Sequence, residues 1–184
     1  MDTSLLIKEA KYGSNAAQKC LFNLWAGRMN VLCRRYVKNS EDAEEVLLDG
    51  FYKFFKTIAS FRYTSEPELH NWIKRIMINE CLMFLRKKNV FSIVPEMAAA
   101  SLPLEEVALD NLSVTEIFHL VLKLPVGYRT VFNLYVIEGM DHREIARLLR
   151  ITEGTSKSQL SRAKNLLQKM LLTKDSEYVT RKVQ

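Results

Sequence analysis

The sequence predicts an all-α chain built as two small helical domains joined by an acidic linker. Three observations carry this reading. Only six glycines and four prolines interrupt 184 residues. Apolar residues recur at three- and four-residue spacing with few alternating runs, which favours helices over strands. Between Val90 and Leu112 the composition changes: Glu96, Glu105, Glu106, Asp110, Pro95 and Pro103 occur there, and no Lys or Arg. The domains that follow are 1–89 and 113–184, with 90–112 as the linker.

In the first domain a helix is expected from about Ser14 to Lys38, with Ala17, Leu21, Leu24, Trp25, Leu32 and Tyr36 on one side. Ser40 is the expected N-cap of a second helix, because Glu41, Asp42, Glu44 and Glu45 follow where the helix dipole favours negative charge. Ala43, Val46, Leu47, Phe51, Phe54 and Ile58 form its buried stripe and leave its acidic end outward. A loop from Ala59 to Glu66 leads to a third helix with Pro67 in its first turn, running to about Lys88 and burying Leu69, Trp72 or Ile73, Ile76 and Met83. Asn71, Arg75, Asn79 and Arg86 share another face of that helix.

The second domain is more specific. Leu124-Pro125 opens a helix reaching Ile137, and Gly139 stands where a left-handed residue ends one. Asp141 and Glu144 make a D-x-x-E capping pattern for a short helix, His142 to Leu149, with Ile145, Ala146 and Leu149 inward. After a turn at Arg150-Ile151-Thr152, a last helix runs from about Glu153 to Leu172 and buries Leu160, Ala163, Leu167 and Leu171; the residues beyond read as a frayed polar end. Two helices across so short a turn make a helix-turn-helix. The outer face of the last helix carries Thr155, Ser158, Gln159, Arg162 and Asn165, side chains able to reach base edges, while Lys157, Ser161 and Lys164 flank it where phosphates would lie.

Composition bounds the function. A hydrophobic content of 48% suffices for a core, and a net charge of +6 makes nucleic acid or an acidic surface a plausible partner. The three cysteines, Cys20, Cys33 and Cys81, sit in amphipathic stretches and read as small apolar residues in a reducing compartment. No stretch approaches the roughly 18 apolar residues of a spanning helix, so no membrane insertion is expected, and the protein is expected to be cytoplasmic and soluble. His70, His119 and His142 are far apart, with no Cys or carboxylate at metal-ligand spacing. There is no Gly-rich phosphate loop and no Gly-x-Ser-x-Gly. No metal, cofactor or catalytic residue is expected.

Several stretches, in order, resemble the extracytoplasmic-function (ECF) RNA polymerase sigma factors of the sigma-70 family. They are Ser40 to Phe51, Trp72-Ile73-Lys74-Arg75-Ile76-Met77-Ile78-Asn79, Leu85-Arg86-Lys87, Leu124-Pro125 with Tyr128-Arg129 and Val131-Phe132, Glu138-Gly139, Glu144-Ile145-Ala146, and Gly154 to Lys164. The resemblance implies a non-catalytic promoter-specificity subunit. Region two would dock the β′ coiled coil of core polymerase through Asp42, Glu45 and Asp49. It would also hold the melted non-template strand of the minus-ten element, one base unstacked, through Phe61, Arg62, Tyr63, Asn71, Trp72, Arg75, Asn79 and Arg86. Trp72 is open between a core residue and a wedge at the edge of the melted duplex. Region four would read the minus-thirty-five duplex through Thr155, Lys157, Ser158, Gln159, Arg162 and Lys164, with the β flap as a further contact. An anti-sigma factor covering both regions, and a monomer within holoenzyme, are implied as well. Three positions depart from the family: Leu48 stands where Gln is frequent, Gln159 where Arg is common, and Ser156 replaces an apolar residue, with its hydroxyl expected to bond back to a helix carbonyl. Two other readings compete with this one. A free-standing helix-turn-helix regulator would not need the acidic helix and aromatic-basic loop, and a nucleic-acid enzyme would need clustered carboxylates or a metal.

Overall fold

In the computed structural model, which describes residues 2–88 and 113–182, every described regular element is helical, as the apolar spacing predicts. The expected linker, 90–112, lies outside the described residues. Contacts divide the chain into two units, Met1–Asn89 and Val90–Gln184.

In the first unit, polar side chains start each α-helix. Asp2 caps α1 (Thr3–Lys11), Ser14 caps α2 (Asn15–Tyr36), Asn39 caps α3 (Ser40–Thr57) and Ser65 caps α4 (Glu66–Lys87), each accepting a backbone N–H of the first turn. A 3-10 turn, Ile58–Ser60, ends α3. The helix α1 has no counterpart in the sequence reading. The cap of α3 is also corrected by one residue. Asn39 is extended (φ −71°, ψ 136°) and its Oδ1 accepts from Asp42 N–H at 2.9 Å, so Ser40 is already helical.

The core joins Leu21, Trp25, Met29, Leu32 and Tyr36 of α2 to Val46, Phe51 and Phe54 of α3 and to Leu69, Ile73, Met77, Cys81 and Leu85 of α4. Each such large side chain contributes about 1.5–3 kcal/mol by leaving water. Two residues expected inside are outside. Leu24 is 51% exposed because it sits about 100° around α2 from Trp25. Met83, 41% exposed, follows the buried pair Cys81 and Leu82 and points out of α4. Ile76 is half-buried.

Two features of this core have measurable consequences. Gly50 is buried where α3 crosses α4, and a Cβ there would collide with Met77 Sδ. Gly50→Ala gains about 1 kcal/mol of helix propensity but loses about 1–3 kcal/mol to overpacking. A lower urea midpoint is expected, and an unchanged one would mean that Met77 yields at no cost. Secondly, Cys33 and Cys81 are fully buried, and the bond to Cys33 together with burial pushes the Cys81 thiol well above its ordinary pKa. Only the part-exposed Cys20 should therefore react promptly with a thiol reagent in the folded chain.

In the second unit, α5 (Val114–Lys123), also unanticipated, begins with a Ser113–Glu116 capping box. The next helix is α6 (Val126–Phe132), with Pro125 as its N-cap. The sequence reading extends it as regular α-helix to Ile137; instead its last turn, Asn133–Ile137, is π-helical, closed by Glu138 N–H donating to Asn133 O at 2.9 Å. The wider turn keeps Leu134 fully buried while Tyr135, Val136 and Ile137 face out. Gly139 adopts the left-handed φ of 73° expected of it. The Asp141–Glu144 box starts α7 (His142–Leu149) as the D-x-x-E pattern predicts, and Arg150 ends it in the left-handed region (φ 59°, ψ 46°). The last helix, α8 (Glu153–Lys182), continues past Leu172, where the sequence reading ends it in a frayed tail. Leu120, Val121, Val131, Phe132, Leu134, Ile145, Ala146, Leu160, Ala163 and Leu171 form this unit's core; Leu149 and Leu167 are only half-buried.

Candidate nucleic-acid interface

In the first unit, the residues between the 3-10 turn and α4 carry an aromatic pair. Phe61 lies flat on Trp72, ring centroids 4.3 Å apart and planes within 5°, and Trp72 leans on Phe54 at 5.1 Å. Trp72 is therefore half-buried. Beside Trp72 a cavity of about 320 Å³ opens, lined by Lys53, Thr57, Ser60, Trp72, Ile76, Asn79 and Glu80. Of the other sequence-selected residues, Arg62, Asn71, Arg75, Asn79 and Arg86 are exposed, and Tyr63 is half-buried. The helical spacing of α4 thus brings the sequence-selected side chains to one face beside the loop.

What the sequence does not reveal is how that loop is held. Both ends of α1 reach it: Lys11 Nζ donates to Phe61 O at 2.5 Å, and Thr3 Oγ1 donates to Glu66 Oε1 at 2.6 Å. Thr64 also bonds Glu68. These partners lie 50 and 63 residues apart in the chain, so no local signal announces them. Lys11→Met should leave the helical fold intact and raise amide hydrogen exchange in 61–65 by about an order of magnitude, while Lys11→Arg preserves protection. Unchanged exchange would show that α1 does not brace the loop.

Elsewhere in the first unit Asp42, Glu45 and Asp49 line a second groove of about 230 Å³ with Met83, Phe84 and Lys88. Glu45 and Asp49 are exposed. Asp42 is held by Lys88, whose Nζ contacts both carboxylate oxygens at 2.8 Å while lying 4.6 Å from the Phe84 ring centroid. On the same helix Leu48 and Tyr52 are 53% and 69% exposed, an apolar strip among acids.

On α8 of the second unit, Lys157, Ser158 and Lys164 are exposed, and Thr155, Gln159 and Arg162 are half-buried. Thr152 Oγ1 accepts from Thr155 N–H at 3.0 Å and the two hydroxyls lie 2.9 Å apart, which fixes the start of the helix. Gln159 lies over Gly127 at the start of α6, where a Cβ would come within 3.4 Å of its Oε1. Two expectations are corrected. Ser156 does not bond back along its helix: its hydroxyl, fully buried, meets His142 Nδ1 at 2.9 Å, and His142 in turn stacks on Tyr135 at 4.5 Å. Asn165, expected on the outer face, has its Oδ1 buried without a hydrogen-bond partner. Among the described residues no cluster of His, Cys, Asp and Glu could hold a metal, and no helix is long and apolar enough to cross a membrane.

Residues 21–90 match the family Sigma-70 region 2, and residues 114–167 match Sigma-70, region 4. Over 179 residues the chain is 29% identical to the ECF RNA polymerase sigma factor SigW of Bacillus subtilis, covering 90% of this chain and 94% of that protein. It is also 29% identical over 165 residues to the ECF RNA polymerase sigma factor SigM of Mycobacterium tuberculosis, covering 86% and 79%. A solved structure of the sigma factor RpoE in complex with the anti-sigma factor NepR from Bartonella quintana has a similar fold, with a TM-score of 0.50 and 22% identity, covering 83% of this chain and 95% of that one. An all-helical chain with both regions in this order is a sigma-70 protein, a promoter-recognition subunit of RNA polymerase. Within that class the chain belongs to the ECF sigma factors.

Proposed function

We propose that residues 1–89 dock core polymerase and capture the melted minus-ten strand, and that residues 113–184 read the minus-thirty-five duplex. The flat Phe61–Trp72 pair, with a cavity beside Trp72 and with Arg62, Asn71, Arg75, Asn79 and Arg86 exposed on the loop and on α4, carries this reading. A stacking platform within a positive track suits a single strand, at about 1–3 kcal/mol per stacked base, and the cavity offers room for a base turned out of the stack. On α8, Lys157 and Lys164 would take phosphates, and Thr155, Ser158, Gln159 and Arg162 would face base edges. Gln159 favours adenine where Arg would favour guanine. Asp42, Glu45 and Asp49 would take the β′ coiled coil, and the second unit the β flap.

The chain then works in the cytoplasm as a non-catalytic monomer within holoenzyme. Its net charge of +6 would bind DNA indiscriminately if left uncovered, which is the reason to expect an anti-sigma partner over both units. The test is to mix the purified chain with bacterial core polymerase, measure retention, and then sequence transcripts from a random promoter library. Retention with enrichment of paired minus-ten and minus-thirty-five motifs is expected. Binding to duplex DNA with no retention of core would overturn the reading.

A further inference from the structure

Among the described residues Arg150 is the one non-glycine with a left-handed backbone (φ 59°, ψ 46°). A side chain is crowded there, and glycine or asparagine is the usual occupant of a left-handed residue that ends a helix. No contact made by the Arg150 side chain offsets that strain: it is exposed, and its guanidinium has no partner among the described residues. Two further arginines share its setting. Arg143 and Arg147, also exposed and also without a partner among the described residues, lie one turn apart on a side of α7 away from buried Ile145, and Arg150 follows about one turn further on. The nearby acids are committed elsewhere. Asp141 and Glu144 each accept the other's backbone N–H in the capping box, and Glu153 stands in the first turn of α8, where the helix dipole favours it.

Resting on the reading of the second unit as a duplex-binding helix-turn-helix, we propose that Arg143, Arg147 and Arg150 form a ridge that grips phosphates flanking the minus-thirty-five element and adds affinity independent of base sequence. In such a motif the first helix crosses the phosphate backbone while the second lies in the major groove. Here α7 is that first helix, and Arg150-Ile151-Thr152 leads directly into the end of α8 that carries Thr155, Lys157 and Ser158. Guanidinium groups free of internal ion pairs take phosphate oxygens through paired N–H donors and release condensed counterions. An acidic protein surface could also meet such a ridge. The ridge, however, runs into the turn of the DNA-reading motif, and duplex DNA is the polyanion already brought to that turn.

The experiment titrates labelled promoter fragments with holoenzyme, reconstituted from the full chain and core polymerase, over a range of KCl concentrations. Each arginine that meets a phosphate contributes about 0.9 to the slope of log affinity against log salt. Arg143→Gln with Arg147→Gln should therefore flatten the slope by about 1.8, and weaken binding equally on fragments with intact and scrambled minus-thirty-five elements. Arg150→Gly should flatten it by about 0.9 while relief of backbone strain raises the melting temperature of the second unit by about 4 °C. An arginine kept for the fold would lower that temperature instead. Slopes unchanged in every variant overturn the proposal and leave the ridge to an acidic protein partner. A fragment cut short just downstream of the minus-thirty-five element separates the two readings. If wild type binds it as tightly as the full fragment, duplex contact by the second unit fails altogether. If wild type prefers the full fragment and the slopes still do not move, only the ridge fails.

Discussion

Replacing Asp42, Glu45 and Asp49 together by alanine should abolish retention of core polymerase while leaving the melting temperature of the chain within a few degrees of wild type. The stability half of this expectation follows from exposure. Glu45 and Asp49 face solvent and make no contact that the fold needs, and surface substitutions of this kind usually stay within about 0.5 kcal/mol. Asp42 pairs with Lys88, but their side chains are 29% and 51% exposed, which puts the pair in the class worth about 0–1 kcal/mol. The start of α3 keeps its Asn39 cap in the variant, since Asn39 accepts from the backbone of residue 42 and not from its side chain.

The binding half follows from what the groove offers a cationic partner. Coupling energies between close charges across a protein interface run at about 1.5 kcal/mol and upward. Loss of three such pairs weakens binding by at least about a thousandfold, with a shallower salt dependence in whatever binding survives. Exposed Leu48 and Tyr52 lie on the same helix and would supply the apolar contact such an interface needs at its centre. With Leu48 in place of the polar residue the resemblance leads one to expect, docking through this face would lean further on apolar burial. A triple variant that still retains core at physiological salt would move the docking face off α3.

The features legible in the sequence are those whose physics is local. The Asp141–Glu144 box and the left-handed Gly139 are specified within four residues and occur as read. Where two capping residues stand side by side, as Asn39 and Ser40 do, sequence cannot say which takes the extended conformation, and the helix begins one position from its expected cap. The face shared by Asn71, Arg75 and Asn79 follows from helical period alone. Its neighbours do not: the Phe61–Trp72 stack, the Lys53–Glu80 pair and the reach of α1 to the loop all join residues 11 or more apart in the chain. Ser156 makes the same point. Locally its hydroxyl has a carbonyl to bond, but the fold brings His142 of α7 to it, and the polar departure from the family is satisfied by a tertiary partner. The π-helical turn at Asn133–Ile137 is likewise tertiary in origin, since nothing in those five residues breaks an α-helix.

Arg129 ties these levels together and should be costly to lose. It is 3% exposed, and burial lowers its pKa from the ordinary guanidinium value, so the charge is held against an unfavourable desolvation. The partners that offset this lie at the end of α5: Nη1 donates to Leu124 O at 3.0 Å and to Leu122 O at 3.4 Å. A buried cation at a helix C-terminus satisfies carbonyls that have no intrahelical partner and faces the negative end of the dipole.

Arg129→Met keeps most of the side-chain volume and removes every donor. Leaving buried carbonyls unpaired costs about 1–3 kcal/mol per group, so a loss of about 2–4 kcal/mol in the second unit is expected, with Arg129→Lys intermediate because it retains charge without the planar fork. The two tryptophans, Trp25 and Trp72, both lie in the first unit, which gives the measurement its resolution. Circular dichroism should show part of the helix content melting early in the variant, while the tryptophan fluorescence transition stays in place. Core retention through Asp42, Glu45 and Asp49 should survive, and recognition of the minus-thirty-five duplex should fail. A variant whose two transitions stay together at the wild-type temperature would mean that the Leu122 and Leu124 carbonyls find other donors, and that Arg129 adds nothing to the fold that supports α8.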